Sequence, residues 1–279
     1  MQNKAFSMED LFAFLNAGVS AFHSTAAAAA ILEAEGYRNC PESAAWHLVP
    51  GGKYYTTRNG SAILAWRMPK GPLTGWHAAA SHSDSPTWRI KTLDGADHGF
   101  ARAEVEGYGG MLCASWMDRP LSIAGRAMVR TERGVAMRLV NLREPTALIP
   151  NVAIHMNRDA NNGMKYNFAV DMQPLYGGEK GGFRRRIAET AGVAEDALLT
   201  HDLFLYNPQP GVAWGDYISA PRLDDLQCAF ASLQGFLTAE ESRSACVYGL
   251  FDNEEVGSET KQGAASTFLA ETLERICDG

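Results

Sequence analysis

The sequence predicts an α/β protein whose α/β part is interrupted by a β-rich insert. Residues 245–251 form one continuous apolar run, which is typical of a strand buried on both faces of a sheet. Residues 88–213 differ, because they contain many short alternating runs separated by turn residues. A third observation is a helical stripe of apolar residues spaced three or four apart: Leu223, Leu226, Phe230, Leu233 and Leu237. We therefore expect residues 1–87 and 214–279 to form one α/β domain around a β-rich domain at 88–213.

Two helices are expected before the first strand. Ser7 followed by Asp10 is a helix N-cap pattern, and the first helix is expected to run to about Phe22. A second helix is expected over about 24–35, through the alanine run, because Gly36 can end a helix. Short strands and turns are then expected up to the residues that precede position 82.

The insert and the C-terminal segment contain the remaining predicted elements. The pattern of residues 126–141 predicts two strands around a Gly-containing turn. Residues 183–191 are typical of a helix, and Gly192 follows them as a stop signal. A last helix is predicted around 268–276, where apolar residues recur at helical spacing.

Composition and charge argue against several classes of protein. The chain has 279 residues, of which 46% are hydrophobic and 20% charged, as in an ordinary soluble globular protein. A formal net charge of −7 argues against a nucleic-acid partner, which favours clustered Lys and Arg. No run approaches the ~18 consecutive apolar residues of a membrane span, and no apolar signal region is visible. The five cysteines are odd in number and form no C-x-x-C pair, so we expect reduced thiols and a cytoplasmic protein.

Polar residues cluster where three apolar elements begin or end. His82 and Asp84 follow the apolar run that ends before residue 82, which we take to be a buried strand. The group at 252–255 follows the run at 245–251, and the pair at 224–225 begins the amphipathic helix. Ligands and catalytic groups of α/β sheets gather beyond the carboxyl ends of the strands. These three clusters could therefore lie in one cleft.

Each cluster also has an ordinary structural explanation. The stretch S-H-S-D-S-P can be a polar turn, Asp224 and Asp225 can favour a helix dipole, and Glu254 and Glu255 can form an exposed turn. Taken together, one imidazole and several carboxylates suit Zn²⁺ or a similar divalent ion. Adjacent glutamates diverge on an extended backbone, so one can hold metal while its neighbour meets the attacking water. No G-x-S-x-G elbow and no phosphate-binding loop supports another chemistry.

Six ordered blocks of sequence resemble the aspartyl aminopeptidase family of co-catalytic zinc metallopeptidases. They are A-F-H-S-T-A, S-H-S-D-S-P, Y-G-G-M-L-C-A-S-W-M-D-R-P-L-S-I-A-G-R, I-P-N-V-A-I-H-M-N-R, I-S-A-P-R-L-D-D-L and F-D-N-E-E-V-G-S-E-T-K-Q-G-A. The resemblance implies a zinc-peptidase α/β sandwich interrupted by a β-rich dimerisation domain. It also implies two zinc ions per complete site, a peptide substrate cleaved after its N-terminal Asp or Glu, and a homo-oligomer, typically a dodecamer built from dimers.

The resemblance assigns roles to residues at matching positions. His82 resembles a ligand of one zinc ion, Asp224 the carboxylate that bridges both, and Glu255 a ligand of the second. Glu254 resembles the general base that takes a proton from the attacking water. Asp84 resembles the residue that hydrogen-bonds the His82 ring and fixes its tautomer.

His155 resembles a histidine that reaches the active site of a neighbouring subunit. The chain departs from the family pattern at Ser83, where S-H-S-D-S-P has S in place of the T of H-T-D-S-P, and in L-D-D, where L-D-N is usual. Family members are also much longer, and the part without a counterpart here holds an aspartate ligand, a histidine ligand and much of the substrate pocket. The sequence is therefore expected to be the N-terminal part of such an enzyme.

The alternatives are a non-catalytic assembly subunit of the same fold and a related metallo-acylase, which the six matching blocks of sequence favour less.

Overall fold

The computed structural model describes residues 6–92, 96–97, 100–177 and 182–278. The chain divides into two compact units. The first combines Met1–Ser85 with Gln209–Gly279, and the second is Pro86–Pro208. The limits expected from the sequence were 1–87 with 214–279, and 88–213.

The described part of the N-terminal segment of the first unit contains two helices and four strands. Their bounds are α1 Met8–Ala17, α2 Ala21–Ala34, β1 Arg38–Asn39, β2 Lys53–Arg58, β3 Ala62–Arg67 and β4 Trp76–His82. The predicted cap of α1 is present, because Ser7 Oγ accepts the N–H of Asp10 at 3.2 Å and the Asp10 carboxylate accepts the N–H of Ser7 at 3.0 Å.

The break between α1 and α2 lies earlier than predicted. The first helix ends at Ala17 instead of about Phe22, and the second begins at Ala21 instead of 24 or 25. Gly18 caps α1, and a Cβ at that position would lie 2.8 Å from Leu226 Cδ1. A residue larger than glycine would therefore crowd Leu226, a restriction that local sequence does not show.

The second unit is mostly β-structure. Its elements are β5 Thr87–Ile90, β6 Ala96–Asp97, β7 Phe100–Ala101, β8 Val105–Tyr108, β9 Ser122–Thr131, β10 Gly134–Asn141, β11 Ala147–Leu148, β12 Leu175–Tyr176, α3 Gly182–Thr190 and β13 Leu198–Tyr206. An antiparallel sheet has the order β10-β9-β13-β5-β8, and the predicted hairpin is β9–β10. Trp88, Ile123 and Leu203 are among the buried residues of its core.

The chain returns to the first unit for its last elements. They are β14 Val212–Trp214, β15 Tyr217–Ser219, α4 Leu223–Thr238, β16 Ala245–Phe251 and α5 Phe268–Asp278. The main sheet of this unit has the order β1-β2-β3-β16-β4, with β16 antiparallel to β3 and parallel to β4. All seven residues of β16 are buried, as the continuous apolar run predicts.

Helices cover both faces of the main sheet. On one face, Tyr248 packs in a core with residues of α1, α2 and α4, including Leu15, Leu32 and Leu226. On the other face, Val247 shares a core with Phe268 of α5. Alternate side chains of β16 point to opposite faces, so one strand joins the two cores. The predicted α/β sandwich is confirmed.

Strand β4 corrects one expectation. The run before His82 was expected to be a buried strand, but residues 77–80 are exposed. Among the described residues β4 lies at the end of the sheet and pairs only with β16. An apolar run of this length does not distinguish an edge strand from a central one.

Two further findings concern the whole chain. Across the described residues, no helix combines the length and the apolar character that a membrane crossing requires. The five cysteines are all free thiols, of which Cys113 and Cys246 are buried and Cys228 and Cys277 are exposed.

Candidate metal centre

The candidate site lies where two neighbouring strands end. Strands β4 and β16 are parallel, and Phe251 is the register partner of His82. The segment that begins at Asp252 therefore leaves the sheet beside His82. Since both strands end at the same edge, their polar exits meet as the sequence predicts.

The His82 ring lies between two groups of acceptors. On one side, Nδ1 is 3.1 Å from the backbone oxygen of Asp84 and 3.3 Å from its Oδ1. On the other side, Nε2 is 3.3 Å from Asp224 Oδ1 and 3.7 Å from Glu254 Oε2. In the neutral tautomer protonated at Nδ1, the ring donates to Asp84 and Nε2 keeps a free lone pair. The structure thus points the atom that can bind a metal toward the carboxylates.

Asp84 also holds the turn that follows β16. Its side chain is buried, and its Oδ1 and Oδ2 accept the backbone N–H groups of Glu254 and Glu255 at 3.2 Å each. Asn253 takes the left-handed conformation just before the pair, with φ of 63°. One carboxylate therefore contacts the exits of both strands, a role that the sequence did not indicate.

The start of α4 supplies two more carboxylates. Asp224 and Asp225 have non-helical backbone angles, and the peptide bond between them is cis. The side chain of Asp224 is 80% exposed, whereas that of Asp225 is 17% exposed. The Oδ2 atom of Asp225 accepts the backbone N–H of His82 at 3.2 Å.

The carboxylates change the protonation of the site. Burial lowers the pKa of His82, but the hydrogen bond and charge of Asp84 outweigh it and, with other carboxylates, raise that pKa to about 9. Burial, with the charges of Asp84 and Asp224 adding to it, raises the pKa of Glu255 to about 7. Burial likewise raises the pKa of Asp252 to about 6. Carboxylates this close together repel one another when ionised, and a bound divalent cation would reduce that repulsion.

Among the residues that the structure describes, two overlapping groups of potential ligand atoms result. His82, Asp224 and Asp225 form one, and His82, Glu254 and Glu255 form the other, with the atoms of each group within 4.8 Å of one another. An imidazole nitrogen with carboxylate oxygens is a donor set that zinc accepts. The structure thus brings together His82, Asp224 and Glu255, for which the resemblance implies metal ligation, and Glu254.

His155 lies elsewhere. It is on an exposed 3₁₀ turn, Ile154–Met156, in the second unit. It belongs to neither group of potential metal ligands found among the described residues. Its assignment to a neighbouring subunit's site stays a prediction.

Comparison with known proteins assigns the chain to a family. The family model described as Aminopeptidase I zinc metalloprotease (M18) matches residues 14–279. The chain belongs to the M18 family. The family resemblance and the fold class predicted from the sequence are confirmed.

Two kinds of M18 relative illustrate the similarity. A probable M18 family aminopeptidase 2 from Clostridium novyi is 37% identical over 99% of this chain. The structure of Chaetomium thermophilum mApe1 superposes with a TM-score of 0.86 at 31% identity over 96% of this chain. A chain from the structure of the S. cerevisiae mApe1 dodecamer superposes with a TM-score of 0.84 at 27% identity over 97% of this chain. The chain spans 67%, 67% and 66% of these three relatives, about two thirds of each.

Sequence reasoning about this M18 chain missed two features of the site. The sequence did not predict a role for Asp225 in the metal site, although Asp225 lies next to Asp224 in the same motif. Asp84 was assigned only to the His82 ring, because the N–H groups that it accepts are 170 and 171 residues away along the chain. Only the fold reveals these hydrogen bonds.

Proposed function

We propose that this chain provides part of the co-catalytic zinc centre of an aminopeptidase. The observation that carries the proposal is the convergence of His82, Asp224, Glu254 and Glu255 at one edge of the sheet. His82, Asp224 and Glu255 would hold two zinc ions, with Asp224 bridging them. The reaction is hydrolysis of the first peptide bond of a peptide.

Different residues of the chain would have different roles in hydrolysis. Zinc held by these residues would supply Lewis-acid polarisation of the scissile carbonyl and would make the attacking water more acidic. A Glu254 carboxylate oxygen accepts a proton from the attacking water, whose oxygen bonds to the scissile carbonyl carbon. The C–N bond then breaks, and Glu254 gives the proton to the leaving amine. Asp84 orients His82 through Nδ1 and positions Glu254 and Glu255 through their backbone N–H groups.

The identity of the released residue is a finer part of the proposal. A preference for N-terminal Asp or Glu follows from the resemblance to aspartyl aminopeptidases. We place the residues that select it in the part of the relatives that this chain does not span. A cytoplasmic location fits the five free cysteines.

The number of ligands supports a contribution from additional sequence. A catalytic zinc ion takes about three protein ligands plus water, so two ions sharing one carboxylate need about five protein groups. The proposed ligands described here are three, namely His82, Asp224 and Glu255. We propose that the remaining ligands come from the third of the M18 relatives that has no counterpart in this chain.

A homo-oligomer is part of the same proposal. One solved M18 relative is a dodecamer. The segment around His155 exposes three apolar side chains, Val152, Ile154 and Met156, that a second copy could cover. In such an assembly, His155 would reach the site of a neighbouring subunit.

Substitution of the proposed base tests the function. In the protein extended to the length of its relatives, Glu254→Gln should abolish turnover and retain zinc, because Glu254 is not assigned as a ligand. Hydrolysis of an Asp-naphthylamide and metal content by plasma emission are measured on the same sample. Glu274→Gln, at an exposed position of α5, is the matched control and should keep full activity.

The outcomes separate the hypotheses. Undiminished turnover by Glu254→Gln would contradict the assignment of the base. An unsubstituted protein that assembles but neither binds zinc nor turns over would instead be the non-catalytic subunit.

A further inference from the structure

Asp225 accepts a hydrogen bond from the backbone of the proposed ligand His82. Its Oδ2 accepts the backbone N–H of His82 at 3.2 Å, and the same oxygen is 3.9 Å from His82 Nε2. The bond joins the start of α4 to the last residue of β4. It links residues that are 143 positions apart, so it is a tertiary constraint and not a local turn.

The position of this bond gives it a consequence for metal binding. Asp224 immediately precedes Asp225, and its Oδ1 is 3.3 Å from His82 Nε2. The Asp224 side chain is 80% exposed, so it has little packing of its own to set its place. Two hydrogen bonds hold this segment beside the end of β4: the His82 N–H donates to Asp225, and Ser85 Oγ donates to the backbone oxygen of Asp224 at 2.9 Å. The Asp225 bond is the one that reaches His82 itself, so it contributes directly to the separation of His82 and Asp224.

The charge of Asp225 is a second contribution. Its side chain is only 17% exposed, and its ligand-type oxygen lies within 4.8 Å of those of His82 and Asp224. Water screens a charge in that position less than it screens an exposed one. An added carboxylate strengthens the attraction for a divalent cation even if it does not ligate.

We infer that Asp225 is a positioning residue of the metal centre whose carboxylate also supplies charge to the bound cation. The inference rests on the proposed function, because it assumes that the cluster holds zinc. The hydrogen bond and the charge are separable, since an asparagine keeps one acceptor oxygen for the His82 N–H, replaces the other oxygen with an NH₂ group and loses the charge.

Two variants of the chain separate the contributions. In Asp225→Asn, the exchange of the His82 amide, followed by NMR in the metal-free protein, should stay within about twofold of the unsubstituted rate. In Asp225→Ala, that exchange should become faster by about tenfold or more, because the acceptor is lost. Zinc affinity, measured by calorimetric titration, should fall about tenfold in Asp225→Asn because the charge is lost, and further in Asp225→Ala. Asp216→Asn, at an exposed position, is the charge-matched control and should change neither quantity.

The results that overturn the inference differ from those that overturn the proposed function. Unchanged exchange of the His82 amide in Asp225→Ala would remove the positioning role. Unchanged zinc affinity in Asp225→Asn, with affinity lost in His82→Ala, would remove the charge contribution and leave the proposed centre intact. Absence of zinc binding to any form would overturn the charge contribution. Zinc binding that persists in His82→Ala would contradict the proposed centre itself.

Discussion

At the scale of single residues, His82 and Glu255 carry protons that a divalent cation must displace. The hydrogen bond and charge of Asp84, with other carboxylates, overcome the effect of burial and hold the pKa of His82 at about 9. Burial and neighbouring charges hold the pKa of Glu255 at about 7. Zinc binds the neutral imidazole and the ionised carboxylate, so binding must release protons from both groups.

The sign of the resulting pH dependence follows. Below about pH 7 both residues are protonated in the metal-free protein, and between about 7 and 9 only His82 is. Zinc affinity of the chain should therefore rise with pH, with a slope of about two protons near pH 6 and about one near pH 8. Calorimetric titration in buffers of different ionisation enthalpy measures the protons released. An affinity that does not change from pH 6 to pH 8 would contradict this assignment of protons.

How far the site can be predicted also depends on single residues. His82, Asp224, Glu254 and Glu255 follow from residue types at the ends of predicted elements, supported by the family resemblance. The contacts of Asp225 with His82 and of Asp84 with the N–H groups of Glu254 and Glu255 do not. In these hydrogen bonds a side chain accepts from a backbone N–H group that is 143 to 171 residues away along the chain. The order of residue types in the sequence does not show which distant N–H group a side chain will contact.

At the scale of elements, hydrophobic pattern predicts a strand but not its neighbours. The run of β16 is buried throughout and the stripe of α4 faces the core, both as their periodicity indicates. Strand β4, with the sequence W-H-A-A-A-S-H, was also expected to be buried, but it is largely exposed and lies at the end of the sheet among the described residues. The break between α1 and α2 lies at residues 18–20, earlier than the sequence predicts, and the space at Gly18 is limited by Leu226, which is distant along the chain.

The exposed edge of β4 has a consequence that can be measured. An unpaired apolar strand is a template for pairing with another chain, so the 279-residue protein should self-associate at micromolar concentration. Ala79→Lys, in the middle of β4, should reduce this association several-fold, because a charged side chain disfavours edge pairing. Sedimentation velocity over a concentration series measures the effect.

A matched substitution controls for net charge. Ala30→Lys changes the charge equally at an exposed position of α2 and should leave the association unchanged. Equal reduction by both variants would indicate a general charge effect and would contradict a role for the β4 edge.

At the scale of the whole molecule, the proposed function determines how many protein ligands a complete centre would need. Three proposed ligands serve a centre that needs about five protein groups. The 279-residue form should therefore bind zinc weakly and show no measurable aminopeptidase activity. Calorimetry, together with a peptidase assay in excess Zn²⁺, checks both statements. Two tightly bound zinc ions per chain, or turnover that disappears with Glu254→Gln, would show that the ligands have been assigned wrongly.

Because β4 and β16 pair in a fixed parallel register, the position of the His82 ring depends on the number of residues in β4. His82 is opposite Phe251, and side chains alternate between the two faces of a strand. Loss of one residue within 76–82 would turn the imidazole to the opposite face unless the whole strand slipped to compensate. The loop at 68–75 imposes no such alternation, so length variation can accumulate there without moving the imidazole. Insertions and deletions in natural relatives should therefore concentrate in that loop and avoid the strand that ends in the histidine.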